Sequence, residues 1–119
     1  MNALALSIQT LIATRMKEVR KASGVSQRAL GKSVGLDDKR AGPYISRYES
    51  GVHATDWETT LKIAQSLGVS VAYLVAETAE LAELIKAVQD YDPEELRELA
   101  EDIRSWRKLK EGKESGQPT

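Results

Sequence analysis

The side chains able to do chemistry in this sequence are mostly cations, because catalytic and metal-binding residue types are scarce. No cysteine occurs, which excludes disulfides, thiolate metal sites and cysteine nucleophiles. His53 is the one histidine, and a single imidazole builds neither a multi-histidine metal site nor a Ser/His/Asp hydrolase centre. We therefore expect no enzyme activity, no metal and no cofactor.

The cations are concentrated in the first part of the chain. Residues 1–50 contain nine Lys and Arg against four Asp and Glu, a net charge of +5, whereas residues 51–119 contain eight against fourteen, a net charge of −6. A chance scatter of charges is one explanation. The other is that the first part meets a polyanion while the second meets a different surface, commonly that of its own copy.

Apolar residues recur at three- and four-residue steps along the chain, which is the spacing of a helix face. Ser and Thr caps and Gly stops bound the resulting segments, and no β-type alternation is present. The sequence therefore predicts an all-α fold with five short helices in its first two thirds. The predicted helices span residues 7–23, 26–34, 43–50, 55–67 and 70–75.

The third helix is predicted to begin at Pro43. Proline has no N–H to donate and fixes its own φ, so it is best placed in the first turn of a helix. Residues 36–42 then form a charged loop, in which two acids precede Lys39 and Arg40. Those acids either oppose contacts between the two cations and an anionic partner or cap the helix instead.

The last third of the chain has two further amphipathic segments, joined where Asp92 and Pro93 restart a helix. A helix with one apolar stripe needs a partner. We expect a helical dimerisation arm over residues 78–111, following a first domain over residues 1–77. A helix folded back on that domain, or a surface for a different protein, would also bury the stripe. The candidate dimerisation residues are Leu81, Leu84, Ile85, Val88, Leu96, Leu99, Ile103 and Trp106, the last as an anchor.

The two ends of the chain carry little folding information. Residues 112–119 contain no large apolar side chain and are predicted to be a frayed tail. The first residues do not have the pattern of a signal peptide, and no stretch approaches the roughly 20 apolar residues that cross a bilayer. We expect a cytoplasmic protein with no membrane partner.

Two short helices joined by a turn fit B-DNA, because the major groove admits one helix. Here the pair is formed by residues 26–34 and 43–50. The sequence resembles the Cro/CI, or xenobiotic-response-element, class of helix-turn-helix regulators over about residues 8–76. The resemblance is carried by three blocks in order: RKASGVSQ at 20–27, PYISRYESG at 43–51 and LKIAQSLGVS at 61–70.

The resemblance implies a five-helix, lambda-repressor-like domain that binds double-stranded DNA. In the family, the Gln that opens helix two grips phosphate, which points to Gln27. The start of helix three reads bases, and Arg47 is the best candidate because its guanidinium can hold guanine O6 and N7. The full set of candidate DNA contacts is Gln27, Arg28, Lys39, Arg40, Gly42, Pro43, Tyr44, Ser46 and Arg47.

Further roles are implied at neighbouring positions. Arg20 and Glu49 occupy positions that pair in some relatives, which implies a structural clamp between helices one and three. Tyr44 is expected to touch DNA, whereas Tyr48 is expected to pack inward. Trp57 in helix four either packs inward across helix five, which we favour, or lies near DNA.

The sequence departs from the family in two places. Seven residues, instead of about three, separate Gly35 from Pro43, so Lys39 and Arg40 either reach the DNA or simply lengthen the turn. Gly31 replaces the usual Ala, and either lets helices two and three approach closely or weakens helix two.

The resemblance implies a transcriptional regulator, with repression at an inverted-repeat operator bound by a homodimer as the leading interpretation. Two alternatives give the C-terminal helices a different protein partner. One is the DNA-binding antitoxin of a toxin–antitoxin pair, and the other is a protein-interaction module that has lost operator binding.

Overall fold

In this computed structural model, the backbone is described for residues 3–115 and the side chains for residues 8–113. Within that range the chain is all-α, as predicted, with seven helices and no strand. It divides into two compact units, the first ending at Gln89 and the second beginning at Asp90. The helices are α1 Ala3–Ala22, α2 Gln27–Ser33, α3 Asp38–Glu49, α4 Trp57–Leu67, α5 Val71–Val75, α6 Ala79–Val88 and α7 Pro93–Ser115.

Side-chain caps set where the helices begin. Ser26 caps α2, as predicted, because its hydroxyl oxygen accepts the N–H of Ala29 at 3.0 Å. α4 begins at Trp57, two residues later than predicted, because Asp56 is the residue that caps it. The carboxylate of Asp56 accepts the N–H of Thr59 at 2.7 Å.

The prediction that the third helix starts at Pro43 is wrong. α3 begins at Asp38 because Asp37 caps it, and the carboxylate of Asp37 accepts the N–H of Arg40 at 2.9 Å. The charged loop therefore becomes the first turn of α3, and Pro43 lies inside the helix. Gly42 makes this tolerable, since a proline ring clashes with the Cβ of the preceding residue in helical geometry, and glycine has none.

The core of the first unit takes a fully buried apolar side chain from each of its first five helices. This is the five-helix domain expected from the sequence, because helical stability depends mainly on burying one apolar face. The five side chains are Met16 in α1, Leu30 in α2, Ile45 in α3, Ile63 in α4 and Leu74 in α5.

α6 also belongs to this unit, although residues 78–88 were predicted to be part of the dimerisation arm. Ala82 is buried in the core and Ile85 packs against it. The side-chain amide of Gln89 accepts the N–H of Ser70 and donates to the carbonyl of Gly68, both at 3.1 Å. These contacts tie the end of α6 to the turn between α4 and α5.

Arg15 is a buried cation that joins α1 to the end of α5. Its Nη1 donates to the carbonyl oxygens of Tyr73 at 2.9 Å and Ala76 at 2.7 Å, and its guanidinium lies 5.8 Å from the centroid of the Tyr73 ring. The last carbonyls of a helix have no partner within it, so Arg15 satisfies groups that would otherwise be buried unpaired.

The second unit contains one helix, α7. Asp92 and Glu95 cap it reciprocally: the Asp92 carboxylate accepts the N–H of Glu95 at 2.8 Å, and the Glu95 carboxylate accepts the N–H of Asp92 at 3.1 Å. The helix continues to Ser115, beyond the point where the tail was predicted to begin, and residues 116–119 of that tail lie outside the described residues. No helix of the described range is long and apolar enough to span a membrane.

Candidate nucleic-acid interface

α2 and α3 approach each other so closely that Gly31 has no room for a side chain. A Cβ added to Gly31 would lie 2.5 Å from the carbonyl oxygen of Ala41 and 2.6 Å from its Cα and Cβ. Both residues are buried where the helices cross. The glycine at this position therefore allows close approach, the first of the two effects considered from the sequence.

A buried ion pair fixes α3 against α1. Arg20 donates to both carboxylate oxygens of Glu49, from Nε at 2.5 Å and from Nη2 at 2.9 Å, and its Nη1 donates to the carbonyl of Val25 at 2.9 Å. Hydrogen bonding to Glu49 raises the pKa of Arg20. The structural clamp implied by the resemblance is confirmed.

Gln27, the predicted phosphate contact, is the first residue of α2 and is also connected to this pair. Its side-chain Nε2 donates to Oε1 of Glu49 at 3.1 Å. A side-chain amide carries two N–H groups, so one remains for an outside acceptor. Glu49 thus orients Gln27 and Arg20 together.

The exposed face of α3 carries most of the predicted DNA contacts. Ala41, Ile45 and Glu49, spaced four residues apart, face inward. Lys39, Arg40, Pro43, Ser46 and Arg47 are exposed, while Gly42 and Tyr44 are half-buried.

Two cations on this face have no side-chain partner among the described residues. Lys39 lies in the first turn of α3 and Arg47 in its last turn. Arg40, by contrast, is held by Asp37, whose carboxylate accepts from its Nε at 3.0 Å. Hydrogen bonds with Tyr44 and then Asp37 raise the pKa of Arg40.

Arg28, another predicted contact, forms an exposed ion pair across the two helices. Its Nε and Nη2 donate to the carboxylate of Asp38 at 2.7 and 2.6 Å, and Nζ of Lys32 lies 3.6 Å from the same carboxylate. The bond from Arg28 lowers the pKa of Asp38. Sequence reasoning missed Asp38, because the partners are ten residues apart and the position of α3 depends on its packing.

The aromatic residues next to the site divide as follows. Tyr48 packs against the core, as predicted, and burial raises its pKa. Tyr44 meets it edge to face, with ring centroids 6.2 Å apart. The prediction that Trp57 packs inward is wrong: it is 59% exposed in the first turn of α4.

The candidate dimerisation residues lie on both units. On α6, Leu81 and Leu84 are exposed, Val88 is half-buried, and Ile85 is turned into the core of its own unit. On α7, the predicted apolar stripe consists of four residues, and three of them are exposed. Those three are Leu96, Ile103 and Trp106, and Leu99 is half-buried.

No cluster of His, Asp or Glu able to hold a metal ion occurs among the described residues. A shallow apolar cavity of about 350 Å³ lies beside α1, lined by Ile12, Met16, Tyr48 and His53 among others. Its lining holds no arrangement of acid, base and nucleophile.

Comparisons with known proteins agree with this geometry. A family profile described as a helix-turn-helix domain matches residues 11–84. The chain is similar to the transcriptional regulator BswR, whose crystal structure is known. The two sequences are 38% identical, and the structures superpose with a TM-score of 0.70 over 78% of this chain and 92% of that chain.

A complex of the SinR and SinI proteins is also similar in structure. The identity is 25% and the TM-score 0.56, over 82% of this chain and 98% of that chain. No curated protein sequence matches the chain.

Proposed function

Because this chain belongs to the xenobiotic-response-element type of the helix-turn-helix family and is a DNA-binding transcriptional regulator, we propose that it is a cytoplasmic repressor that binds an inverted-repeat operator as a homodimer. The protein bound at its operator would block RNA polymerase. The family is normally not enzymatic, in line with the expectation that this chain has no enzyme activity.

The observation that carries the proposal is the pair of unpartnered cations on the exposed face of α3. Lys39 and Arg47 form no salt bridge among the described residues, whereas Asp37, Asp38 and Glu49 each pair with an arginine, namely Arg40, Arg28 and Arg20. An exposed cation without a local partner is available for a DNA phosphate or a base edge.

The roles follow from chemistry and position. Arg47 would read guanine through O6 and N7, and Lys39 would contact phosphate as a point charge. The free N–H of Gln27 and the N-terminus of α2 would bind a second phosphate. Ser46 could donate its hydroxyl to a base or to a phosphate. Gly42 and Pro43 have no side-chain donor, and they would contribute by letting α3 lie close to the DNA.

Dimerisation is the second part of the proposal. Palindromic operators are read by proteins with two-fold symmetry, since the half-sites are one helical turn apart. The exposed stripe of α7 supplies an apolar surface for the second copy, and Leu81 and Leu84 of α6 supply another. Trp106, 61% exposed, is the anchor type of residue that dominates such interfaces.

A second candidate function gives α7 to a different protein. The complex of the SinR and SinI proteins, to which this chain is structurally similar, supports the idea of a protein partner. An antitoxin bound to its toxin, or a module that binds only protein, would use the same exposed stripe.

The test is selection of DNA fragments by the purified full-length protein at physiological salt. Three proteins are compared: wild type, Arg47→Ala, and Lys17→Ala as a control that removes an exposed cation from α1. The proposal expects an inverted repeat to be enriched by the wild type and by the control, and to be lost or altered with Arg47→Ala. A folded wild type that enriches no sequence would contradict it.

A further inference from the structure

An acid lies where the proposed function requires cations. Asp38, in the first turn of α3, holds Arg28 of α2 by two hydrogen bonds and has Lys32 3.6 Å away. All three side chains are more than half exposed, at 55%, 62% and 57% respectively. A carboxylate at this position repels the DNA backbone.

Stability explains this acid only in part: a carboxylate in the first turn of a helix interacts favourably with the helix dipole, but that effect is small at an exposed site. Asp37, not Asp38, caps α3, and exposed ion pairs contribute little to folding because water screens them and both side chains lose freedom. A role for Asp38 in DNA binding therefore explains the residue better than a role in folding.

The geometry of the guanidinium suggests that role. Asp38 occupies the Nε–Nη2 edge of Arg28, which leaves the Nη1–Nη2 edge for an outside acceptor. The stem of Arg28 passes Gly42, and a Cβ built on Gly42 would lie 3.9 Å from Cβ of Arg28. Asp38 therefore holds the guanidinium of Arg28, while the base of the side chain lies beside Gly42 of α3.

We propose, on the basis of the proposed DNA-binding function, that Asp38 is a positioning residue that fixes Arg28 so that its Nη1–Nη2 edge donates to O6 and N7 of a guanine. These two atoms are uncharged acceptors on one base edge and match the spacing of a guanidinium fork. A phosphate would be a poorer partner, because it is an anion and Asp38 lies beside it.

The experiment is site selection by the full-length protein with the variants Asp38→Asn, Arg28→Ala and Arg28→Lys. Glu83→Gln on α6, an exposed acid with no partner among the described residues, is the control for removing one negative charge. Arg28→Ala and Arg28→Lys should both remove a preference for guanine of roughly 5- to 150-fold at one position, since a lysine has no fork.

Asp38→Asn should weaken the preference at that same guanine while increasing affinity for unrelated duplex, because it replaces the two-point ion pair by at most one hydrogen bond and removes a repelling charge. Glu83→Gln should leave the guanine preference unchanged. Thermal unfolding of each variant checks that it is folded. The altered side chains of Arg28, Asp38 and Glu83 are all exposed.

Two results would overturn the inference. If Arg28→Ala changes no base preference but lowers the salt dependence by about one phosphate contact, Arg28 binds the backbone. If Asp38→Asn keeps the full guanine preference, Asp38 does not position Arg28. Wild-type protein that enriches no site would contradict the proposed function itself, and the inference with it.

Discussion

Arg20 and Glu49, 29 residues apart in sequence, form a two-point ion pair whose side chains are only 10% and 2% exposed. The pair joins α1 to the end of α3, and Gln27 of α2 binds the same carboxylate. One buried acid therefore sets the relative positions of the two helices of the helix-turn-helix and of the helix behind them.

Replacing Glu49 by Ala should lower the free energy of unfolding by about 3 kcal/mol, because it leaves the Arg20 cation buried without its partner. Urea unfolding monitored by circular dichroism measures the loss. Replacing both residues by apolar ones of similar size should cost less than Glu49→Ala alone. A single variant that is as stable as the wild type would contradict the structural role of the pair.

Stability should fall in acid because the carboxylates of Asp37 and Asp56 cap α3 and α4. Hydrogen bonds from the backbone N–H of Arg40 and Thr59 are the first cause of the lowered pKa of Asp37 and Asp56. Since each folded pKa lies below the unfolded value of about 4, the stabilisation is complete above about pH 4 and is lost as pH falls through the folded pKa.

Urea unfolding between about pH 6 and about pH 2 tests this linkage. Asp56→Asn should flatten the acid loss, because asparagine caps a helix without titrating. Glu83→Gln, which caps nothing, should leave the curve unchanged. A wild-type midpoint that does not move over this range would contradict the prediction.

Gly31→Ala should destabilise the protein by about 1–3 kcal/mol, because its Cβ would overlap the backbone of Ala41 and force α2 and α3 apart. Calorimetry gives the change in melting temperature. Gly112→Ala in α7 makes the same chemical change where nothing lies within 4 Å, and it should not lower stability. Equal effects of the two variants would show that helix propensity, not packing, determines the result.

Ile103→Asp should shift the protein toward monomer, since it places a charge in the middle of the apolar stripe of α7. Sedimentation equilibrium over a range of concentrations measures the effect. Ser105→Asp adds the same charge on the opposite side of α7, about 200° away around the helix, and should leave association unchanged. If both variants associate like the wild type, the second copy binds elsewhere.

Local chemistry explains what could be predicted from the sequence. The cap at Ser26 and the helical spacing of α1 depend only on neighbouring residues. The cap was confirmed, and so was the helix, although α1 begins at Ala3 and not at residue 7. The buried pair of Arg20 with Glu49 came from the family resemblance, since composition alone does not assign partners 29 residues apart.

The structure differs from the sequence predictions where two local signals competed for a helix start, or where tertiary packing determined which side chains are buried. Asp37 and Pro43 both mark a helix start, and the cap prevailed because Gly42 lets α3 pass through the proline. The exposure of Trp57 depends on which helix face meets the core, a choice that amphipathic spacing leaves open.

The most direct test of the account compares affinity for the selected operator and for a scrambled duplex across a range of salt concentrations. The wild type should prefer the operator by roughly 10³-fold or more at physiological salt. Lys39→Ala should weaken both complexes equally and lower the salt slope by about one, whereas Arg47→Ala should weaken the operator complex alone. Equal affinity of the wild type for both duplexes would contradict sequence-specific binding through α2 and α3.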